Sequence, residues 1–291
     1  MRQVISHAQE EASKILNENG ISDARRDANL LLAFALERDL TYLIAHNDEL
    51  MSFQENQKFY SFVARRATGE PLQYILGKQE FYGLEFEVNQ AVLIPRPETE
   101  LLVEAALEIL CKKDHQTFCD VGTGSGCVAV AIAKNAPSAN GFALDISTNA
   151  LTTARRNADI NGVNEQIQFL ESDIFTAFQS LKSEVQNPKF TVVVSNPPYI
   201  PQNELPNLQR EVRDFEPHSA LFSGTDGLSF IKILLAEAGH FLNKKGFLLF
   251  EIGFGQSDQI KTIINESVWN LQEIRLDFQD IPRVVVLEKK C

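Results

Sequence analysis

The sequence predicts an α/β protein: a doubly wound, seven-stranded sheet preceded by a small N-terminal helical bundle, with a β-hairpin connection between them. Three observations carry the prediction. Apolar residues over roughly the first 70 positions recur at helical spacing. From Thr117 onward, short β-branched or aromatic runs alternate with helical patterns, the order that builds a sheet covered on both faces. The first of these runs ends in Gly122-Thr123-Gly124-Ser125-Gly126 and opens directly into a helix. With 291 residues the chain has room for more than one core, and it divides into a bundle over 1–70, a connection over 71–92 and the sheet domain over 93–291.

Composition narrows the function classes. Hydrophobic content of 44% and charged content of 23% are those of a soluble globular protein. A net charge of -12 disfavours sequence-independent binding to duplex DNA, which needs a basic excess to displace counterions. Cys111, Cys119, Cys127 and Cys291 form no Cys-x-x-Cys pair and have no histidines at ligand spacing, so no metal site is expected and reduced thiols suit a cytoplasmic protein. No signal peptide is expected at the N-terminus, and no run reaches the roughly 18 apolar residues that span a bilayer.

In the bundle, Ile5, Ala8, Ala12, Ile15 and Leu16 share a face until Gly20 stops the run, and a second helix is expected from Ala24 to Arg38. Ser52 and Glu55 form a capping-box pattern opening a third helix, with Phe59, Phe62 and Val63 on one face. Periodicity leaves two roles open for this bundle, docking of a substrate or partner and packing against the sheet domain. Gly69-Glu70-Pro71, Gly77 and Gly83 then punctuate short alternating segments that read as a hairpin.

Pro97 suits the first turn of a helix that runs on through Leu101 to Cys111, and Glu98 and Glu100 complement its positive end. Arg96, set between two prolines, is presented rather than freely solvated and is a candidate substrate contact. The glycine loop follows the strand Thr117–Val121, and its glycines let a ligand approach the backbone at a helix N-terminus. A dinucleotide fingerprint wants Gly-x-Gly-x-x-Gly. Here the third glycine comes one position early, which fits a ligand without a pyrophosphate.

The next strand, Gly141–Asp145, ends in an acid able to accept from both hydroxyls of a ribose. Asp145 could instead cap the helix from Thr148 to Ile160, but Ser147 is better placed to do so. After a third strand over Gln166–Leu170, Asp173 could accept from an adenine amino group while Ile174 packs on the ring, although a plain turn would look the same.

The fourth strand, Phe190–Val194, runs into Ser195-Asn196-Pro197-Pro198-Tyr199-Ile200. Consecutive prolines end a strand, and the loop lies where open α/β sheets bind ligands. Asn196 and the proline carbonyls are acceptors, and Tyr199 adds an aromatic face. This set suits a planar group bearing NH2. A long loop over 200–227, without predicted structure, is a lid or docking candidate. A helix over Leu228–Leu242, a strand over Gly246–Gly253, a helix near Gln256–Asn265 and strands around Leu271–Leu276 and Arg283–Leu287 complete the sheet.

Together these segments resemble the S-adenosylmethionine-dependent methyltransferases, and more closely the protein-glutamine methyltransferases that act on class 1 peptide chain release factors. The resemblance runs from about Gly69 to Val286. It is carried by Gly-Glu-Pro-Leu-Gln-Tyr-Ile-Leu-Gly at 69–77, Ile-Pro-Arg-Pro-Glu-Thr-Glu at 94–100, Asp-Val-Gly-Thr-Gly-Ser-Gly at 120–126, Asn-Pro-Pro-Tyr at 196–199, Phe-Glu-Pro at 215–217 and Pro-Arg-Val-Val at 282–285.

The resemblance implies a Rossmann-like methyltransferase sheet with S-adenosyl-L-methionine over Gly122, Thr123, Gly124, Ser125 and Gly126. It places Asp145 on the ribose, Asp173 and Ile174 at the adenine, and Asn196 at the methyl-donor end. Asn196, Pro197, Pro198 and Tyr199 would hold a glutamine of the Gly-Gly-Gln motif, with Asn196, Pro197 and Tyr199 serving the reaction. Some relatives carry an aromatic residue where this chain has Ile174, so stacking would give way to aliphatic packing. A monomer is expected. The Asn-Pro-Pro-Tyr logic would also serve an adenine amine, but net charge and the absence of a recognisable basic target domain disfavour a nucleic-acid substrate.

Overall fold

The computed structural model describes residues 3–112, 116–180 and 188–290. Its contacts fall into two compact units, Met1–Lys78 with Leu208–Phe215, and Gln79–Asn207 with Glu216–Cys291.

The first unit contains α1 (Ile5–Glu18), α2 (Ala24–Leu36), α3 (Leu40–Ala45), α4 (Phe53–Ala67) and α5 (Leu72–Leu76). The predicted apolar faces meet in its core, where Ile5, Ala8, Ala12, Leu16, Leu31, Leu32, Phe59 and Val63 are buried together. The capping box forms in both directions, the Glu55 N–H donating to Ser52 Oγ and the Ser52 N–H to Glu55. The expected connection over 71–92 therefore begins with a helix. The hairpin proper is β1 (Lys78–Phe81) and β2 (Leu84–Glu87).

In chain order the second unit continues with α6 (Glu100–Leu110), β3 (Thr117–Val121), α7 (Cys127–Asn135), β4 (Asn140–Asp145), α8 (Thr148–Asn161), β5 (Ile167–Glu171), α9 (Thr176–Ser180) and β6 (Phe190–Ser195). The chain passes through α10 (Arg210–Phe215) in the first unit and returns for α11 (Ser229–Phe241), β7 (Leu242–Glu251), α12 (Ser257–Ile263), β8 (Trp269–Leu276) and β9 (Pro282–Lys289). The seven strands are ordered β5-β4-β3-β6-β7-β9-β8, parallel from β5 to β7 and antiparallel at β9 and β8.

Alternation along each strand feeds two cores. Phe118, Val192, Val194 and Leu249 face one layer, and Cys119, Val193, Leu248 and Phe250 face the other. The chain starts at the central β3, builds outward through β4 and β5, then crosses back to lay β6 on β3's other side. This reversal opens a crevice beyond the carboxyl ends of β3 and β6, where the glycine loop and Asn-Pro-Pro-Tyr emerge side by side.

One expectation needs correction. The stretch 200–227 is not structureless: it holds 3-10 turns at Gln202–Asn207 and His218–Ala220 as well as α10. Its Pro, Asn and Asp residues gave a turn signal, whereas α10 is anchored by an ion pair from Glu211 to Arg66, 2.6 Å long and distant in sequence. Cys111, Cys119 and Cys127 are free thiols, and Cys291 lies outside the described residues.

Candidate active site

One pocket in the second unit gathers most of the predicted site residues. Gly122, Thr123, Gly124, Ser125, Asp145, Asp173, Ile174, Asn196, Pro198 and Arg96 line it. The glycine loop turns with φ of 75°, 55° and 80° at Gly122, Gly124 and Gly126, which side chains with a Cβ adopt at a cost. Gly126 is not a lining residue. It lets the loop close on α8, because a Cβ there would stand 3.0 Å from Ala154 Cβ.

The loop is held from both sides. Gly122 and Thr123 donate their N–H groups to the Leu144 carbonyl, and Gly124 N–H donates to Asp145 Oδ2 at 2.8 Å. Asp145 Oδ1 accepts from Ser147 N–H, while Ser147 Oγ caps α8 by accepting from Ala150 N–H. Asp145 is thus fixed by backbone donors and keeps further lone pairs for a ligand. Burial nonetheless raises its pKa, those hydrogen bonds pulling the other way.

Ile174 is buried with φ of 51°, an uncommon and strained conformation for a β-branched residue. The Ser172 hydroxyl holds it by donating to the Ile174 carbonyl at 2.9 Å.

Sequence reading missed three features. Asp120, the acid before the glycine loop, lines the pocket almost fully buried and accepts from the Thr123 hydroxyl at 2.6 Å. Asn157, buried in mid-helix, donates to the Ser125 carbonyl and to the Glu87 carbonyl, tying the loop to the hairpin. Two amides four residues apart on the buried face of α8, Asn157 and Asn161, were the available signal. Ala91 to Leu93, Pro217, Ala220 and Phe230 complete an apolar wall.

Arg96 is not a free cation. Its Nη2 pairs with Glu216 Oε1 at 2.6 Å, and Glu216 is the buried acid of Phe-Glu-Pro. No other cationic residue lines the pocket among the described residues, whereas Asp120, Asp145 and Asp173 all do. Asp145 and Asp173 disfavour a diphosphate there, and their acceptor oxygens suit a ligand that brings hydroxyl donors or positive charge. Among the described residues no cluster of His, Cys, Asp or Glu could hold a metal, and no helix is long and apolar enough to cross a membrane.

Asn-Pro-Pro-Tyr does not present one face. Asn196 and Pro198 line the pocket, Pro197 is buried, and Tyr199 borders an adjoining depression with Pro201, Gly253, Phe254 and Gln256. Tyr199 is turned that way by Glu251, which accepts from its hydroxyl at 3.3 Å, and by close packing. A Cβ on Gly253 would lie 2.9 Å from the Tyr199 ring. Asn196 Nδ2 donates to Thr99 Oγ1 at 3.0 Å, and the Thr99 hydroxyl reaches Glu251 Oε2 at 2.6 Å. Asn196 makes no other side-chain hydrogen bond among the described residues, so Oδ1 is the end left to the pocket.

Two buried carboxyls, Asp120 in the pocket wall and Glu251 behind Asn196, hold their protons more tightly than usual. Burial pushes Asp120 up to about 7 against the Thr123 hydrogen bond, and Glu251 likewise to about 7 against those from Thr99 and Tyr199. A group raised on folding binds its proton more tightly in the folded state, so its contribution to stability is present in acid and lost as pH rises through about 7. Asp120→Asn, neutral throughout, is therefore expected to gain melting temperature relative to the natural protein between pH 5 and pH 8. A difference that stays constant across that range would show that Asp120 is ionised at both ends.

Residues 7–77 match the family described as the PrmC N-terminal domain, and residues 98–211 the methyltransferase small domain. A protein of Koribacter versatilis named release factor glutamine methyltransferase is 40% identical over 285 residues, which is 98% of each chain. One of the same name from Geobacter sulfurreducens is 41% identical over 84% of this chain and 82% of its own. A solved methyltransferase from Pyrococcus furiosus shares the fold, with a TM-score of 0.51 and 17% identity over 72% of this chain and 91% of that one.

Proposed function

The chain belongs to the release factor glutamine methyltransferase family, and from that premise we propose that it methylates the side-chain amide nitrogen of the Gly-Gly-Gln glutamine in class 1 peptide chain release factors. The methyl donor is S-adenosyl-L-methionine. The enzyme acts in the cytoplasm, as a monomer, in support of translation termination. The observation that carries this reading is Asn196, anchored by its NH2 so that a carbonyl oxygen faces an acid-lined pocket.

The pocket residues fit the donor. Gly122 and Gly124 bring bare backbone to the pocket while Gly126 closes the loop on α8, Asp145 has lone pairs for ribose hydroxyls, and Asp173 with Ile174 borders the adenine position. The acidic lining favours the sulfonium and ammonium charges. When bound, S-adenosyl-L-methionine supplies an electrophilic methyl group.

An amide nitrogen is a poor nucleophile because its lone pair is delocalised, so the protein has to orient it and favour the transition state. Asn196 Oδ1 and the Pro197 carbonyl accept the two amide hydrogens and turn the nitrogen toward the methyl donor. Tyr199 flanks the substrate from the adjoining depression. Arg96, held by Glu216, borders the substrate end. No general base is required before attack, since the alkylated nitrogen loses its proton readily.

The test is incubation with labelled S-adenosyl-L-methionine and, separately, purified release factor or total RNA, followed by mass-spectrometric location of the methyl group. Label on the release-factor glutamine is expected. Label in RNA alone would overturn the reading.

A further inference from the structure

A side-chain amide is two different groups on one flat frame, and half a turn exchanges an acceptor for a donor. The shape of Asn196 does not decide which end faces the pocket; its hydrogen-bonding neighbours do. Glu251, the last residue of β7 and 1% exposed, fixes those neighbours. An ionised carboxylate only accepts, so the Thr99 hydroxyl directs its single proton to Glu251 Oε2 at 2.6 Å. Thr99 Oγ1 then offers only lone pairs to Asn196, and the group 3.0 Å away must be the NH2. The other carboxylate oxygen takes the Tyr199 hydroxyl at 3.3 Å, so one acid orients both ends of Asn-Pro-Pro-Tyr.

We propose that Glu251 is a positioning residue that sets the hydrogen-bond polarity of the substrate site: through Thr99 it turns the Asn196 carbonyl oxygen to the substrate, and so selects a side chain bearing NH2 over one bearing a carboxylate. The inference rests on the reading that Asn196 accepts from the substrate amide. A glutamine gives its two hydrogens to the oxygens of Asn196 and Pro197, whereas a glutamate of the same shape sets acceptor against acceptor. Sites built around such pairing discriminate strongly because a mismatched polar group is left buried and unpaired.

The same logic gives a pH signature. A protonated Glu251 can donate to Thr99, which frees the Thr99 proton to turn toward Asn196 and allows the amide to reverse. The charged and titratable neighbours of Glu251 are Arg283, which favours the ionised form, Glu98, which opposes it, the Tyr199 hydroxyl and the buried Cys127 thiol, whose own pKa the Glu251 charge helps to raise. The fixed polarity therefore holds above neutral pH and relaxes below it.

The experiment compares binding of a release factor with that of its glutamine-to-glutamate form, alongside kcat, for Glu251→Gln, Thr99→Val, Thr99→Ser and Asn196→Ala. Glu251→Gln and Thr99→Val are expected to lower kcat by about 10- to 100-fold and to shrink the preference for glutamine by about 10-fold. The affinity of Glu251→Gln for S-adenosyl-L-methionine should be unchanged, since Glu251 does not line the pocket. Thr99→Ser, which keeps the hydroxyl, should recover most of both losses. The inference is overturned if Thr99→Val and Glu251→Gln keep the natural preference, or if Thr99→Ser loses as much as Thr99→Val. Should Glu251→Gln fail to fold, the two Thr99 variants decide alone. Natural turnover and preference in Asn196→Ala would instead remove the premise that Asn196 binds the substrate, whereas a dead Asn196→Ala beside an intact preference in the other variants would remove only the role of Glu251.

Discussion

Asn196→Ala is expected to lower kcat by about 10²- to 10³-fold, the cost of one well-placed polar contact in a transition state, while S-adenosyl-L-methionine binds within about twofold of the natural affinity. The asymmetry follows from where the side chain sits. The glycine loop, Asp145 and Asp173 line the pocket without a hydrogen bond to Asn196, whose single side-chain hydrogen bond among the described residues goes to Thr99. Removing it leaves the Thr99 oxygen without a donor, costing about 1 kcal/mol of stability, and leaves the substrate amide free to rotate. Single-turnover methyl transfer with saturating cofactor, paired with calorimetric binding, separates the two effects. A loss shared equally between kcat and cofactor affinity would mean that Asn196 holds the cofactor rather than orients the amide.

How much of this was legible before the structure depends on the distance over which a residue's meaning is set. The glycine loop and Asp145 could be read because strand, turn, helix and acid are local, and Asp145 closes the loop through Gly124, 21 positions away. Asn196 could be read as an acceptor from its own side-chain carbonyl, at a strand end that the two prolines after it mark. Its orientation could not, since that depends on Thr99 and Glu251, and those two lie 152 positions apart. Thr99 read as part of a helix start and Glu251 as one polar residue in an apolar strand. The direction of Tyr199 was equally hidden, because Gly253 and Glu251 set it from a later strand end. The helix inside 200–227 was lost for the same reason: the residue that fixes Glu211 is 145 positions upstream.

That upstream residue, Arg66, gives the largest stability effect expected in the helical unit. Arg66 is 4% exposed, and its guanidinium holds Asp27 at 2.7 Å, Glu211 at 2.6 Å and the Glu70 carbonyl at 2.9 Å. Asp27 has no escape to solvent, its side chain being 5% exposed, whereas Glu211 at 37% can rehydrate. Arg66→Met therefore leaves one buried carboxylate without a counter-charge, and breaking such a pair costs about 3–5 kcal/mol. Adding Asp27→Leu removes the stranded charge and should return much of that loss, since a packed apolar pair can equal a buried ion pair. Hydrogen exchange in α1, α2 and α4 under increasing urea measures both variants within this unit, where a single melting temperature would mix it with the sheet domain. Equal destabilisation of the single and double variants would show that Arg66 acts through its packing and its bond to Glu70, with the carboxylates contributing little. Loss of protection confined to α10 would assign the effect to Glu211 instead.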